Sequence, residues 1–286
     1  GSDEGESGAG ESGSGEGGRD AHLSFGKYAV FPGDNMQTAM DVFEKGAFNL
    51  DGPTKSASAI MPYYTISYAQ DPHGENVGNS YSRYIIGDLL RGKYRFEGVG
   101  CTDWGITKDC QAVDIQSGMP WGVEDLTIAE RHYKILLAGM DQFGGNDDKK
   151  PVMEAYRMWC DRHGEESARE RFEASARRLL LNFFRTGIFE NPYLDIERSC
   201  AIVGCKEFTE IGYEVQQKSA VMVKNHAGVL PVRSRSRIYM PQRQSPNIYN
   251  QNGKISVKGE FGYMIPPELV GEYFEFTSDD NAHKIV

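Results

Sequence analysis

Three short apolar runs, Ser58–Tyr63 (SAIMPY), Phe96–Thr102 (FEGVGCT) and Met140–Phe143, alternate with longer amphipathic stretches. The units recur about every 35–45 residues. A strand buried on both faces reads as a continuous apolar run, and parallel neighbours need a helical crossover between them. The pattern therefore predicts an α/β chain with a parallel sheet covered by helices. A β/α barrel and an open doubly wound sheet both satisfy it. Met36–Phe48 carries Met36, Met40, Phe43 and Ala47 at helical spacing, with Asp34 or Asn35 as the expected cap. Tyr81–Lys93 has a Tyr84, Ile85, Leu89 stripe and an expected cap at Asn79 or Ser80. Further helices are predicted over Leu126–Ala138, over Pro151–Gly187 in two segments broken near His163-Gly164, and over Thr209–Asn225.

Composition narrows the function classes. The 286 residues carry a net charge of −10, which argues against a general nucleic-acid binder needing a basic face. No stretch approaches the run of about 18 apolar residues expected of a membrane span. No basic segment leads into an apolar one at the start, so no signal peptide is visible and the cellular address stays open. Five Cys without a CxxC, and six His without HxH or HExxH spacing, predict neither a disulfide framework nor a metal site. His132 reads as a satisfied surface or core residue of a helix, and 162–178 as a solvated, charge-paired helix face.

Organisation is marked by shifts in character. Residues 1–18 are Gly/Ser/Glu low complexity and read as a linker or mobile loop. Residues 19–195 hold the strand–helix alternation, and 196–230 a connecting helix and linker. Residues 231–286, basic and then β-prone, read as a boundary and the start of a second, truncated domain.

Chemistry concentrates where the strand Phe96–Thr102 runs into Asp103-Trp104-Gly105. Parallel β/α folds carry their sites at the C-terminal strand ends, so Asp103 stands where a catalytic carboxylate would. Trp104 offers a flat face for a sugar ring. Asp103 could equally cap a helix beginning just beyond it. Met119, Pro120 and Trp121 lie on the expected loop downstream and are candidates for a subsite.

This segment resembles the nucleophile strand of glycoside hydrolase family 3, a Gly-Val-x-x-(Ser/Thr)-Asp-Trp run. Four further segments match in order: IMPYYTISY (60–68), AGMDQF (138–143), RRLLLNFFRTGIFENPYLD (177–195) and KSAVMVKNHAGVLPV (218–232). The resemblance spans roughly residues 19–286. It implies a retaining β-glycosidase of the β-glucosidase or β-xylosidase type with Asp103 as nucleophile and no cofactor. Trp104, Tyr64, Met61 and Arg19 would bind the sugar of a β-linked oligosaccharide or glycoside, and Asp141 would lie near the barrel rim. Most family members draw the acid/base from a Glu of the second domain; here Glu260, Glu268 and Glu272 are available. One branch, the β-N-acetylglucosaminidases, instead uses an Asp-x-His dyad, and Asp20 and His22 match that spacing, the Asp orienting the imidazole.

The family's early strands have no counterpart here, so the resemblance implies a fragment: the C-terminal half of a (β/α)8-type barrel over residues 19–195 and, over residues 231–286, the start of a truncated α/β sandwich domain. Such a fragment would be active by itself, or would bind carbohydrate or a partner without catalysis. An unclosed sheet exposes edges, which favours a complementary barrel half or a homo-oligomer.

Overall fold

The computed structural model describes residues 19–110, 118–232, 235–249 and 254–278. The reading of 1–18 falls outside them. The chain divides into two compact units, with the boundary between Tyr193 and Leu194.

The first unit runs β1 (Tyr28–Ala29), α1 (Met36–Val42), β2 (Ala59–Ile60), β3 (Ile66–Ser67), a wide π-type helix (Arg83–Lys93), β4 (Val99–Gly100), α2 (Ile128–Ala138), α3 (Lys150–His163) and α4 (Glu165–Thr186). Its paired strands are parallel. β1 lies beside β3, and β2 lies beside β4 with Ala59 opposite Val99 and Ile60 opposite Gly100. The run Met140–Phe143, expected as a strand, contributes a single parallel bridge from Gln142 to Cys101. The predicted α/β class with parallel strands is thus observed. The core gathers under these strands around Tyr64, Ile66, Tyr81, Ile106, Ile135 and Met140.

Helix boundaries obey local chemistry. Thr127 and Glu130 form a reciprocal capping box at the start of α2. The expected break between α3 and α4 sits at Gly164, whose φ of 89° is open to glycine and strained for other residues. Two expected caps are corrected. The helix Arg83–Lys93 is capped by Ser82, whose Oγ accepts the Ile85 N–H. Asn79 is engaged elsewhere, accepting from Ser67 Oγ, and residues 79–81 form a separate turn. At α1 neither Asp34 nor Asn35 caps through its side chain; a short turn over Pro32–Asp34 delivers the chain instead.

Asp141, which the resemblance sets near a barrel rim, is part of a buried ion cluster in the structure. Its carboxylate is fully buried and cross-braces three elements. Oδ2 accepts the Gly100 N–H of β4 (3.0 Å) and Arg91 of the π-type helix (2.7 Å). Oδ1 accepts Ser175 (2.7 Å) and Arg178 (2.9 Å) of α4, with the Arg171 guanidinium 3.8 Å away. The remaining donors of Arg91 satisfy the carbonyls of Phe96, Gly98 and Gly139. Those of Arg171 reach Leu136 and Met140. Burial draws the Arg171 guanidinium down to about 10 and lowers that of Arg91.

The second unit holds α5 (Ile196–Ile202), α6 (Lys206–Ser219), β5 (Arg237–Tyr239), β6 (Arg243–Gln244), β7 (Ile248–Tyr249), β8 (Ile255–Val257), β9 (Phe261–Gly262), α7 (Pro267–Tyr273) and β10 (Glu275–Thr277). β5 and β10 are parallel, while β6–β9 and β7–β8 are antiparallel. The helix expected to reach Asn225 ends at Ser219, where the run Ala220-Val221-Met222-Val223 leaves helical conformation. Helix α5 is short and carries no sustained apolar period; Asp195 caps it, accepting the Arg198 N–H. Among the described residues no helix is long and apolar enough to cross a membrane, and no cluster of His, Cys, Asp and Glu could hold a metal ion.

Candidate active site

β4 leads into Cys101 and Thr102, and Thr102 fixes the corner beyond it. Its N–H donates to the Gln142 carbonyl and its Oγ1 accepts the Gly144 N–H at 2.9 Å. The Gly105 N–H then donates to the Gly144 carbonyl. Asp103 is held between these ties and is 6 % exposed. Its Oδ1 accepts the Trp104 N–H at 2.6 Å, a contact that occupies the carboxylate locally and caps no helix. Trp104 turns outward and is 69 % exposed.

Tyr64 lies beneath this corner. Its hydroxyl donates to the Trp104 carbonyl (2.6 Å), beside the Asp103 carboxylate whose charge it feels. Burial and the Asp103 charge push the Tyr64 phenol upward, so it remains a protonated donor. Burial likewise raises the Asp103 carboxyl above its ordinary value, against the pull of the Trp104 N–H, the Tyr64 hydroxyl and the nearby His22.

The loop after Arg19 completes the cluster. His22 Nδ1 stands 2.7 Å from Asp20 Oδ1, which also accepts the His22 N–H (2.9 Å) and the Tyr63 hydroxyl (3.2 Å). Burial works to raise the Asp20 carboxyl, and these hydrogen bonds together hold it below the usual range. The His22 ring meets Tyr64 edge-on, with centroids 5.0 Å apart. Tyr64 therefore touches both segments that the sequence singles out, His22 through its ring and the Trp104 carbonyl through its hydroxyl.

A Cβ on Gly26 would fall 2.1 Å from the Asp20 carbonyl oxygen. Gly26→Ala is expected to displace the Asp20–His22 loop and to cost about 1–3 kcal/mol by overpacking. Urea unfolding checks this, and a loss below about 0.5 kcal/mol would show that the loop yields freely.

The other expected residues are placed as follows. Arg19 is exposed at the start of the loop. Met61 is half-buried and lines an apolar cavity of about 60 Å³ with Phe31, Met36, Phe43 and Leu90. Met119, Pro120 and Trp121 are buried, so their thioether, ring and indole are core material and offer no face for a sugar to stack on. Glu260 precedes β9, while Glu268 and Glu272 sit on α7; all three are exposed.

Two supporting residues carry no signal in the sequence. Arg131 is buried and donates to the carbonyls of Thr107, Val123 and Glu124 and to the Asp109 carboxylate, tying the stretch just after Trp104 to the one that leads into α2. Tyr63 reaches the Asp20 loop through its hydroxyl. The two tyrosines are adjacent in the chain, and nothing in their spacing separates their partners. His132 is a packing residue as expected, buried against Phe143 with Nδ1 2.8 Å from the Ile128 carbonyl.

No family model matches the chain. Individual relatives do. The periplasmic β-glucosidase/β-xylosidase of Dickeya chrysanthemi is 37% identical over 236 residues, covering 78% of this chain and 34% of the relative. The probable β-glucosidase C of Aspergillus flavus is 33% identical over 217 residues, covering 76% of this chain and 32% of the relative. Among solved structures, the β-glucosidase from Listeria innocua superposes with a TM-score of 0.58 at 18% identity, covering 95% of this chain and 35% of that one. This last is a likeness of fold. The chain is a partial glycoside hydrolase family 3 sequence of the β-glucosidase/β-xylosidase-like type, spanning about one third of the length of the curated relatives it matches.

Proposed function

We propose that Asp103 is the nucleophile of a retaining β-glycoside hydrolase acting on β-glucosides or β-xylosides. The observation that carries this reading is the nearly buried Asp103 carboxylate at the end of β4, beside the exposed Trp104. In such a reaction the carboxylate attacks the anomeric carbon and the glycosidic oxygen departs with a proton. Water then releases the sugar from the ester. The Tyr64 hydroxyl, donating to the Trp104 carbonyl, would hold the Asp103–Trp104 corner in place. Trp104 would stack on the sugar face. The barrel arrangement of the family supplies the expected frame around β2, β4 and Gln142.

The 2.7 Å contact between Asp20 and His22 favours a second assignment, of the proton-transfer pair. Asp20 orients the imidazole, and His22 protonates the leaving oxygen and later activates water. Intact-mass spectrometry after incubation with an activated 2-fluoro β-glucoside and 2-fluoro β-xyloside tests the nucleophile, because these probes leave without acid help. One added sugar mass, absent from Asp103→Ala, is expected. No adduct with either probe would overturn the assignment for this chain.

A further inference from the structure

Ala21 is fully buried between two polar neighbours that reach outward, Asp20 and His22. It belongs to no strand or helix, so both of its backbone groups need partners from elsewhere. Its N–H donates to the Tyr63 hydroxyl at 3.1 Å, and its carbonyl accepts the Trp121 indole N–H at 2.8 Å. The two side chains come from positions 42 and 100 residues away. The Tyr63 hydroxyl also donates to Asp20 Oδ1. One phenol thus ties the backbone of the loop and the carboxylate that orients His22.

We infer that Tyr63 and Trp121 are positioning residues, clamping Ala21 from both sides so that the Asp20–His22 pair is held with its imidazole edge-on to Tyr64, the residue that also ties the Asp103–Trp104 corner. This rests on the assignment of that pair to proton transfer. The internal ties of the loop include the Leu23 N–H to the Asp20 carbonyl, the Gly26 N–H to the Leu23 carbonyl and the two contacts of His22 with Asp20 Oδ1. They shape the turn without fixing where it sits on the unit. Tyr63 and Trp121 do fix it, because both are rigid, nearly buried side chains anchored in the core. A proton donor misplaced by about 1 Å can lose a hundredfold in rate, so such a clamp has catalytic weight.

The test uses the full chain with Tyr63→Phe, which keeps the ring and removes the hydroxyl, and Trp121→Phe as an independent second variant. Amide exchange at Ala21 is the readout that does not depend on turnover. We expect it to accelerate by about tenfold or more in each variant, the equivalent of one lost hydrogen bond, while exchange in α2 stays unchanged. The Asp20 carboxyl should also titrate higher in Tyr63→Phe, read from its carbon chemical shift. Hydrolysis of an alkyl β-glucoside should slow about tenfold relative to a dinitrophenyl β-glucoside, since only the poor leaving group needs the acid. A purely structural role would slow both alike. His22→Ala runs alongside. If His22→Ala discriminates between the substrates and Tyr63→Phe does not, the clamp is overturned. If His22→Ala fails to discriminate, the proton-transfer assignment falls, and Ala21 exchange alone judges the clamp. Unchanged exchange in both variants overturns it whatever the activity.

Discussion

Asp103→Asn is expected to abolish turnover and yet raise the unfolding midpoint. The rate should fall by about 10³-fold or more, as for loss of a nucleophile. Stability moves the other way, because burial lifts the Asp103 carboxyl above its ordinary 3.8. A carboxyl raised in the folded state binds its proton more tightly there than in the unfolded chain. Below pH 3.8 both states are protonated and the group contributes nothing. Between 3.8 and the raised value, wild-type stability falls as pH rises, and above it the full cost persists. Asn removes that cost and keeps an oxygen for the Trp104 N–H. The gain should be about 0.5–2 kcal/mol at neutral pH, shrinking to nothing near pH 3.8. The pH dependence of labelling mirrors it, since the attacking form is the carboxylate and the rate climbs as pH rises through the elevated value. Calorimetry of both proteins from acid to neutral pH checks the sign. A variant less stable than wild type at neutral pH would mean that the carboxylate is a net support of the fold.

Asp141→Asn is expected to cost about 3–5 kcal/mol, the usual result of removing one partner from a buried ionic cluster. The amide would leave the guanidinium groups of Arg91, Arg171 and Arg178 without their shared counter-charge. Its NH2 would also face donors: on one side Arg91 and the Gly100 N–H, on the other Ser175 and Arg178. Urea unfolding followed by far-ultraviolet dichroism measures the loss. A change under about 1 kcal/mol would assign the cluster to the surface class of ion pairs, which contribute little.

Features encoded in contiguous residues are legible in the sequence. Asp103-Trp104 directly succeeds an apolar strand, the α3–α4 break carries its own glycine, and Asp20 and His22 are two positions apart. The features that stay hidden depend on distant partners. Trp121 reads as a candidate for stacking on sugar until the Ala21 carbonyl, 100 residues earlier, is seen to hold its indole in the core. The ion cluster around Asp141 is hidden because its arginines lie far off in sequence, Arg91 on the π-type helix and Arg171 and Arg178 on α4. Asn79 and Ser80 look as good a cap as Ser82 because the claim of Ser67 on Asn79 is a tertiary fact. The extended stretch after Ser219 reads as helix because its apolar spacing also suits one.

The Asp141 brace has a consequence for the order in which the molecule is made. Its contacts join residues 91, 100, 141, 175 and 178, so the strand side of the first unit is not locked until α4 is present. A nascent chain that has emerged only as far as Asp141 carries that carboxylate with Arg91 and without the two ligands from α4. Contacts so far apart in sequence carry a large loop-closure entropy before they return any stabilisation. The unit should therefore assemble late and all at once. Ribosome-stalled chains ending before Ser175 should remain protease-sensitive from β2 onward, and those that also expose Arg178 outside the tunnel should become resistant in a single step.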